Sequence, residues 1–312
     1  MANPNEMNRR EFLAKSAAVA AATTIPVGCL AEDTMRTRLI PGTDEALPVV
    51  GLGGGAEPFI KMTDAGKELP KALVQTMVDH GGTVIDTPAH FRPDVPILGE
   101  VLQEMDLVDD LFLTTKITVR GKEEGNVHLE KAVANLNKHP MDLLMVHNMR
   151  DMDSHWPTLR EWKESGRARY IGVSLTRNKD YVDLEKFMQA ERPDFILTGY
   201  SVNHPLAEET ALPMAADLGI AVMIAEGFKA VDDGGIFAQV AGVDLPEWAA
   251  EFDCDSWAQF ALKYVLSNPA VTCVLTETSK TKHVVDNMRA GYGRLPDAAE
   301  RKRMREFIVA LQ

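Results

Sequence analysis

Three titratable side chains of different types stand at the ends of successive short apolar segments: Asp86, Lys116 and His147. An aspartate beside a lysine holds the ammonium group in an ion pair, and a nearby histidine can donate a hydrogen bond to a substrate oxygen. Any one of them alone is typical of a strand cap or a buried ion pair. Their recurrence on successive segments favours one site, in which the three act together on a small-molecule substrate.

Eight apolar segments alternate with helical patterns along most of the chain. Short, nearly continuous apolar runs are typical of parallel strands that are covered on both faces. Eight strand and helix units in about 280 residues predict a single (β/α)8 TIM barrel, and a turn at Pro41-Gly42 predicts an N-terminal β-hairpin before it. The segments are 49–52, 83–86, 111–116, 142–147, 170–174, 195–198, 221–224 and 271–275.

A doubly wound open sheet is the alternative fold, but its dinucleotide fingerprint is missing. The glycines of Gly51-Leu-Gly-Gly-Gly55 have the wrong spacing, and no acidic residue ends a strand about 20 residues later. In a barrel, active sites lie at the carboxyl ends of the strands. The three titratable residues would then converge at one mouth.

Composition excludes several classes of function. The 312 residues carry a net charge of −13, whereas a nucleic-acid-binding surface needs a basic footprint. No apolar window reaches the roughly 18 residues of a spanning helix, so no membrane segment is predicted. The eight histidines lack the spacing of metal ligands, so no metal site is predicted.

The first 31 residues resemble a twin-arginine export signal. Arg9 and Arg10 precede an uncharged, alanine-rich run over residues 17–25. The resemblance implies the twin-arginine translocation machinery as a partner of the precursor, and a periplasmic or exported mature protein. Cleavage after Ala31 would leave a barrel domain of residues 32–312. An ordinary amphipathic N-terminal helix is the alternative.

From about Thr37 to the C-terminus the sequence resembles the aldo-keto reductase superfamily, and most of all a bacterial subgroup with export signals. The resemblance implies a (β/α)8 barrel that reduces a carbonyl group with NADPH bound at the mouth, without a Rossmann fold. It rests on the motifs ALPVVGLG (46–53), LTTK (113–116), DLLMVH (142–147), RYIGVS (169–174) and TSK (278–280), followed by Asp286-Asn287.

The family carries an Asp, Tyr, Lys and His tetrad, and one of the four differs here. Asp86, Lys116 and His147 match, but Phe91 stands at the position of the tyrosine and cannot donate a proton. The proton would then come from His147, Lys116 or His90. The cofactor-binding residues implied by the resemblance are Ser174, Tyr200, Ser279, Lys280 and Asn287.

Further departures concern the cofactor. Leu197 and Gly199 stand where the family has a Gln and an Asn that hold the nicotinamide. Glu277 would lie near a dinucleotide phosphate and repel it. The expected binding of NADP is therefore weak.

Two functions remain open. One is an NADP-dependent oxidoreductase of the aldo-keto reductase type, which acts on a small carbonyl or alcohol through a divergent site. The other is a redox-inactive or retooled barrel, either a ligand-binding protein or a lyase or isomerase that uses Lys116 or His147 as base. A Schiff-base lysine must lose its proton, which an adjacent Asp86 opposes.

Overall fold

The computed structural model describes residues 34–55, 57–60, 66–87, 97–176, 181–228 and 235–311. The predicted export signal lies outside these ranges, as do His90 and Phe91. Within them, no helix is both long and apolar enough to cross a membrane.

The chain first forms the predicted N-terminal hairpin. Strands β1 (Thr37–Leu39) and β2 (Ala46–Pro48) pair antiparallel, with Arg38 opposite Leu47. Gly42 in the connecting turn has a φ of 76°, a left-handed conformation that glycine adopts without steric cost. The predicted turn at this position is therefore confirmed.

Eight parallel strands then close into a barrel, so the predicted (β/α)8 TIM-barrel fold is confirmed. Each predicted apolar segment overlaps one strand, with ends that differ by at most two residues. The strands are β3 (Val50–Gly53), β4 (Val84–Asp86), β5 (Phe112–Ile117), β6 (Met141–Val146), β7 (Ala168–Leu175), β8 (Phe195–Gly199), β9 (Ala221–Ala225) and β10 (Cys273–Thr276).

Helices in the described ranges cover the outside of the barrel. The helix over residues 257–266 begins with a capped turn, in which the Ser256 side chain accepts from the Gln259 amide. The helices are α1 (Glu57–Ile60), α2 (Glu68–Asp79), α3 (Ile97–Glu104), α4 (Lys122–Leu136), α5 (Met152–Glu164), α6 (Val182–Glu191), α7 (Ala211–Leu218), α8 (Ile236–Gln239), α9 (Trp257–Leu266), α10 (Thr281–Arg289) and α11 (Ala298–Val309).

Successive residues of each strand point alternately into the barrel and out to the helices. The inward residues fill the barrel interior, here called the lumen, with apolar side chains. Ile40 and Leu47 of the hairpin join this cluster and close the lumen at the amino ends of the strands. The other buried members are Val84, Phe112, Leu143, Met145, Phe195, Leu197, Ala221, Met223, Cys273 and Leu275.

The closed end of the barrel, here called the floor, is held by a charge network centred on the buried Asp142. Asp142 is 1% exposed and accepts hydrogen bonds from the Leu113 amide (2.9 Å) and the Arg169 guanidinium (2.6 Å). Arg169 also pairs with Glu45 of the hairpin. The Tyr170 hydroxyl donates to Glu45 at 2.7 Å, and burial together with that carboxylate raises the pKa of Tyr170. Every charge described here therefore has an opposite partner.

Candidate active site

At the open end of the barrel, strand alternation aims Asp86 and Lys116 into the mouth. Asp86 continues the inward series of Val84, and Lys116 continues that of Phe112 and Thr114. Because β4 pairs with β5, the two side chains are neighbours. Lys116 Nζ lies 2.5 and 2.7 Å from the two carboxylate oxygens of Asp86, as the sequence predicts.

This ion pair is buried and fully hydrogen-bonded. Lys116 is 5% exposed and Asp86 is 9% exposed. Lys116 Nζ donates its third hydrogen bond to the Thr87 carbonyl at 2.9 Å, and the Thr114 hydroxyl donates to Asp86. An ammonium group has three N–H donors, so all three are used in this arrangement. The pair places a fixed positive charge at the upper end of the lumen.

His147 follows β6 and begins a short 3-10 turn instead of ending the strand as predicted. Its hydrogen-bond partners determine which nitrogen of the neutral ring carries the proton. The Asn148 side-chain oxygen accepts from the Thr176 backbone amide at 3.0 Å, which fixes the orientation of the Asn148 amide. The Asn148 NH2 group therefore faces His147 Nε2, 3.0 Å away. Since that nitrogen must accept, the neutral ring carries its proton on Nδ1, which lies 3.2 Å from the Ser174 hydroxyl.

The turn after β6 has an unusual backbone. Asn148, Met149 and Asp151 have φ values of 48°, 49° and 56°, in the left-handed region that side chains other than those of Asn and Asp rarely adopt. Asp151 accepts a hydrogen bond from the Gly121 amide at 2.7 Å, which ties the turn to the neighbouring loop. Strained backbone of this kind is held only where its surroundings over-determine it.

The structure brings Ser174 to His147 at the inner rim of the mouth, and its implied contact with a cofactor stays a prediction. Ser174 is fully buried on the inward face of β7. Its hydroxyl oxygen accepts from the Asn148 backbone amide at 2.9 Å. In this arrangement Ser174 orients His147.

Tyr200, which the resemblance implies as a cofactor-binding residue, does not line the mouth. Gly199, the last residue of β8, points inward, so Tyr200 points outward among the helices. Its ring is 1% exposed, and its hydroxyl donates to Glu208 at 2.5 Å. Arg301 donates to the same hydroxyl, and Tyr264 packs 5.9 Å away between ring centroids. Burial raises the pKa of Tyr200. The residue is part of the helical layer.

A cavity of about 350 Å³, here called the outer cavity, lies between the start of α9 and helix α10. Trp257, Phe228 and Phe237 form an apolar wall, and Asn287, which is 3% exposed, lies on the polar side. Asn287 therefore lies where a ligand could contact it.

Ser279 and Lys280 lie in the exposed segment between β10 and α10, next to the Thr278 edge of this cavity. The Lys280 backbone amide donates to the Thr278 hydroxyl at 3.2 Å. The lysine side chain supplies a positive charge beside the outer cavity. The predicted phosphate-binding pair is thus close to Asn287, but it lies outside the barrel and is separate from Asp86 and Lys116.

Glu277 was predicted only to repel a cofactor phosphate and was not counted among the site residues. Cys273 and Leu275 point into the barrel, and Glu277 is the next residue in this inward series. It follows Thr276, which pairs with Leu52. Glu277 is thus level with Gly53, which pairs on its other side with Asp86.

The two glycines at the end of β3 leave the space that Glu277 fills. A Cβ at Gly53 would lie 2.6 Å from Cγ of Glu277, and one at Gly55 would overlap its carboxylate. Glu277 is exposed toward the outer cavity, and its carboxylate lies against the glycines at the end of β3. Partial burial of the carboxylate there raises the pKa of Glu277; Asp86 adds to the shift and Lys116 opposes it.

The residues fit one part of a dinucleotide and oppose another. The outer cavity offers an aromatic wall, a buried amide and the nearby Lys280, which suit an adenosine with a phosphate. Asp286 in the cavity wall is already bound by Ser256 (2.8 Å) and Gln259 (2.7 Å). The ionised form of Glu277 does not fit a diphosphate that passes over it.

Sequence comparison identifies the relatives of the chain. The model of the Aldo/keto reductase family matches residues 52–307. An aldo-keto reductase of Gibberella moniliformis is 24% identical over 183 residues, which are 54% of this chain and 55% of that protein. The chain thus spans about half the length of this relative. The D-galacturonate reductase of Fragaria ananassa is 25% identical over 248 residues, 71% of this chain and 75% of that protein.

Solved structures with the same fold include two bacterial proteins. The holo form of an aldo-keto reductase from Bacillus halodurans has a TM-score of 0.70 at 18% identity, covering 87% of this chain and 96% of that one. An aldo/keto reductase from Klebsiella pneumoniae in complex with NADP and acetate has a TM-score of 0.68 at 20% identity, covering 86% and 94%.

Proposed function

Because this chain belongs to the aldo/keto reductase family, we propose that it is an NADP-dependent oxidoreductase that acts on a small carbonyl or alcohol. The observation that carries the proposal is the buried ion pair of Asp86 and Lys116 at the mouth of the barrel. The relatives solved with NADP or NADPH support the choice of cofactor.

The ion pair supplies the fixed positive charge that stabilises a substrate oxygen during carbonyl reduction. NADPH, when bound, supplies the hydride. Negative charge then develops on the substrate oxygen, where the Lys116 ammonium would stabilise it, and a proton from His147, Lys116 or His90 would complete the alcohol. A substrate oxygen that contacts Lys116 would replace the Thr87 carbonyl, since the bonds to Asp86 are the stronger, charge-assisted ones.

The same geometry disfavours the lyase alternative. All three N–H groups of Lys116 are bonded, two of them to a carboxylate. An amine nucleophile must be free to reach the substrate, and these three hydrogen bonds hold Lys116 Nζ in place. His147 Nε2 accepts from Asn148, so a role of His147 as proton donor or base requires this contact to open.

The proposal is tested by the oxidation of NADPH in the presence of a panel of aldehydes and quinones. We expect Lys116→Met to lower kcat/KM by about 10²–10³-fold, whereas Lys302→Met, on the exposed face of α11, leaves it unchanged. Phe91→Tyr is expected to add little, because Leu197 and Gly199 also depart from the family pattern. Equal rates for the wild type and Lys116→Met would overturn the proposal, and a large gain in Phe91→Tyr would show that only the acid is missing.

We also propose that residues 1–31 direct export by the twin-arginine route. If Arg9 and Arg10 are the recognised pair, replacing both with lysine should leave unprocessed precursor in the cytoplasm. Fractionation and immunoblotting of the two forms measure this. Normal processing of the double variant would contradict the assignment.

A further inference from the structure

Glu277 lies between the outer cavity and the catalytic ion pair. It lines the outer cavity together with Thr278 and Asn287. Its side chain also lies over Gly53, whose strand neighbour is Asp86. A ligand that reaches from the outer cavity to Asp86 and Lys116 therefore has to pass Glu277.

A dinucleotide is such a ligand, and its middle is a diphosphate. A cavity of about 350 Å³ is at the small end of the range for ligand sites, so it holds only part of the molecule. The remainder must run over the glycines of β3, where the Glu277 carboxylate lies. Two like charges within a few ångströms in a partly dehydrated mouth repel each other strongly.

Protonation of Glu277 removes this repulsion. The carboxylate lies against the glycines at the end of β3, and Asp86 is on the other side of Gly53. Partial burial and the Asp86 charge raise the pKa of Glu277 before any ligand binds. A diphosphate would add a second negative neighbour and favour the protonated form further. The other charged groups on the elements around Glu277 are Asp86, Lys116 and Glu226 on the barrel side and Lys280, His283 and Asp286 on the cavity side.

We propose that Glu277 determines which ligands reach the ion pair, and that a dinucleotide binds with the uptake of a proton at Glu277. This inference rests on the proposed function, because it takes NADP(H) as the ligand. It makes Glu277 a specificity-determining residue: a neutral or cationic ligand passes it unhindered, and an anionic one binds better as the pH falls.

The test compares NADPH with a shorter probe, 2′-adenosine monophosphate, which fills the outer cavity but does not extend past Glu277. Both ligands carry the 2′-phosphate and would lie in the same cavity, beside His283. A pH dependence that comes from this phosphate or from the cavity is therefore common to both ligands, and only the excess for NADPH is assigned to Glu277. Dissociation constants are measured by quenching of the fluorescence of Trp257 and the other tryptophans at pH 6.5 and pH 8. The proteins are the wild type, Glu277→Gln and Glu164→Gln, the last being an exposed glutamate at the end of α5.

For the wild type, we expect NADPH affinity to fall about tenfold more than that of the shorter probe across this range. Glu277→Gln should bind NADPH about tenfold more tightly at pH 8 and lose the excess pH dependence, while Glu164→Gln behaves as the wild type. Calorimetry in two buffers of different ionisation enthalpy should show more proton uptake with NADPH than with the shorter probe in the wild type, and equal uptake with the two ligands in Glu277→Gln.

Two outcomes separate this inference from the proposed function. Tight binding of NADPH by the wild type, with the pH dependence of the shorter probe and no effect of Glu277→Gln, overturns the inference and leaves the proposed function standing. Failure of every variant to bind NADPH at millimolar concentration overturns both.

Discussion

The two ends of this barrel are built from the same strands, but they differ in how completely their charged side chains are paired. At the floor, Asp142 and Arg169 are held in a network in which each ion has an opposite partner. At the mouth, Lys116 balances Asp86, but Glu277 is a further carboxylate with no cation bonded to it in the described part of the chain. The ion pairs of the floor therefore stabilise the fold, whereas the Glu277 carboxylate at the mouth is left for a ligand or a proton to neutralise.

The largest effect is expected at the floor. Asp142→Ala removes two hydrogen bonds to a carboxylate and leaves the buried Leu113 amide unbonded, while the exposed Arg169 keeps its pair with Glu45. It should lower the free energy of unfolding by about 3–4 kcal/mol, the sum for two such bonds. Urea denaturation measures the loss. Glu130→Ala breaks an exposed pair with Arg167 and should cost less than about 1 kcal/mol. Equal losses in the two variants would remove the distinction drawn for the floor.

An intermediate effect is expected in the helical layer just outside the mouth. Tyr200→Phe removes a hydroxyl that bonds to Glu208 and Arg301, both charged, and should cost about 1.5–3 kcal/mol. Nucleotide affinity should not change, because the ring points away from the mouth. Tyr264→Phe, which also loses a bond to Glu208 (2.7 Å), is the matched control. A selective loss of nucleotide binding in Tyr200→Phe would show that this ring does reach the ligand.

The smallest effect should have the opposite sign, and it is expected at Glu277. Its raised pKa means that the folded protein holds the proton more tightly than the unfolded chain. The contribution of Glu277 to stability is therefore complete below about pH 4.3, the ordinary pKa of glutamate, and is lost as the pH rises through the raised pKa. Glu277→Gln does not titrate, so it should match the wild type near pH 4 and be more stable at pH 8. The gain should be less than about 1 kcal/mol, since water reaches one side of the group.

Thermal unfolding of both proteins at the two pH values measures this difference. Glu164→Gln, at the other end of the barrel, should show no comparable pH dependence. A Glu277→Gln variant that is less stable at pH 8 would mean that the carboxylate is favourably paired in the folded protein, and the contrast between mouth and floor would fail.

The fold and the ion pair were predictable because both depend on local patterns. Short apolar segments indicated the strands, and Asp86 and Lys116 lie on the inward face at strand ends that the patterns located to within a residue or two. Tyr200 was misassigned because its orientation depends on where β8 ends: Gly199 is inward, so the next side chain is outward.

The state of His147 could not be predicted for a different reason. It follows from the orientation of the Asn148 amide, which is fixed by the Thr176 backbone amide 28 residues away. No pattern of residue types reports such a contact. The place of Glu277 over β3 likewise needs the register between the first and last strands of the barrel, which closes only in three dimensions.

The glycines at the end of β3 also constrain how this family member can change over generations. A methyl group at Gly53 would meet Glu277 at 2.6 Å, so the two positions cannot both carry long side chains. In close homologues, a larger residue at position 53 should therefore occur together with a small residue at position 277. A change of Glu277 to glycine would permit larger residues at position 53. The residues at positions 53 and 277, more than 200 positions apart in the chain, should therefore vary together among related sequences.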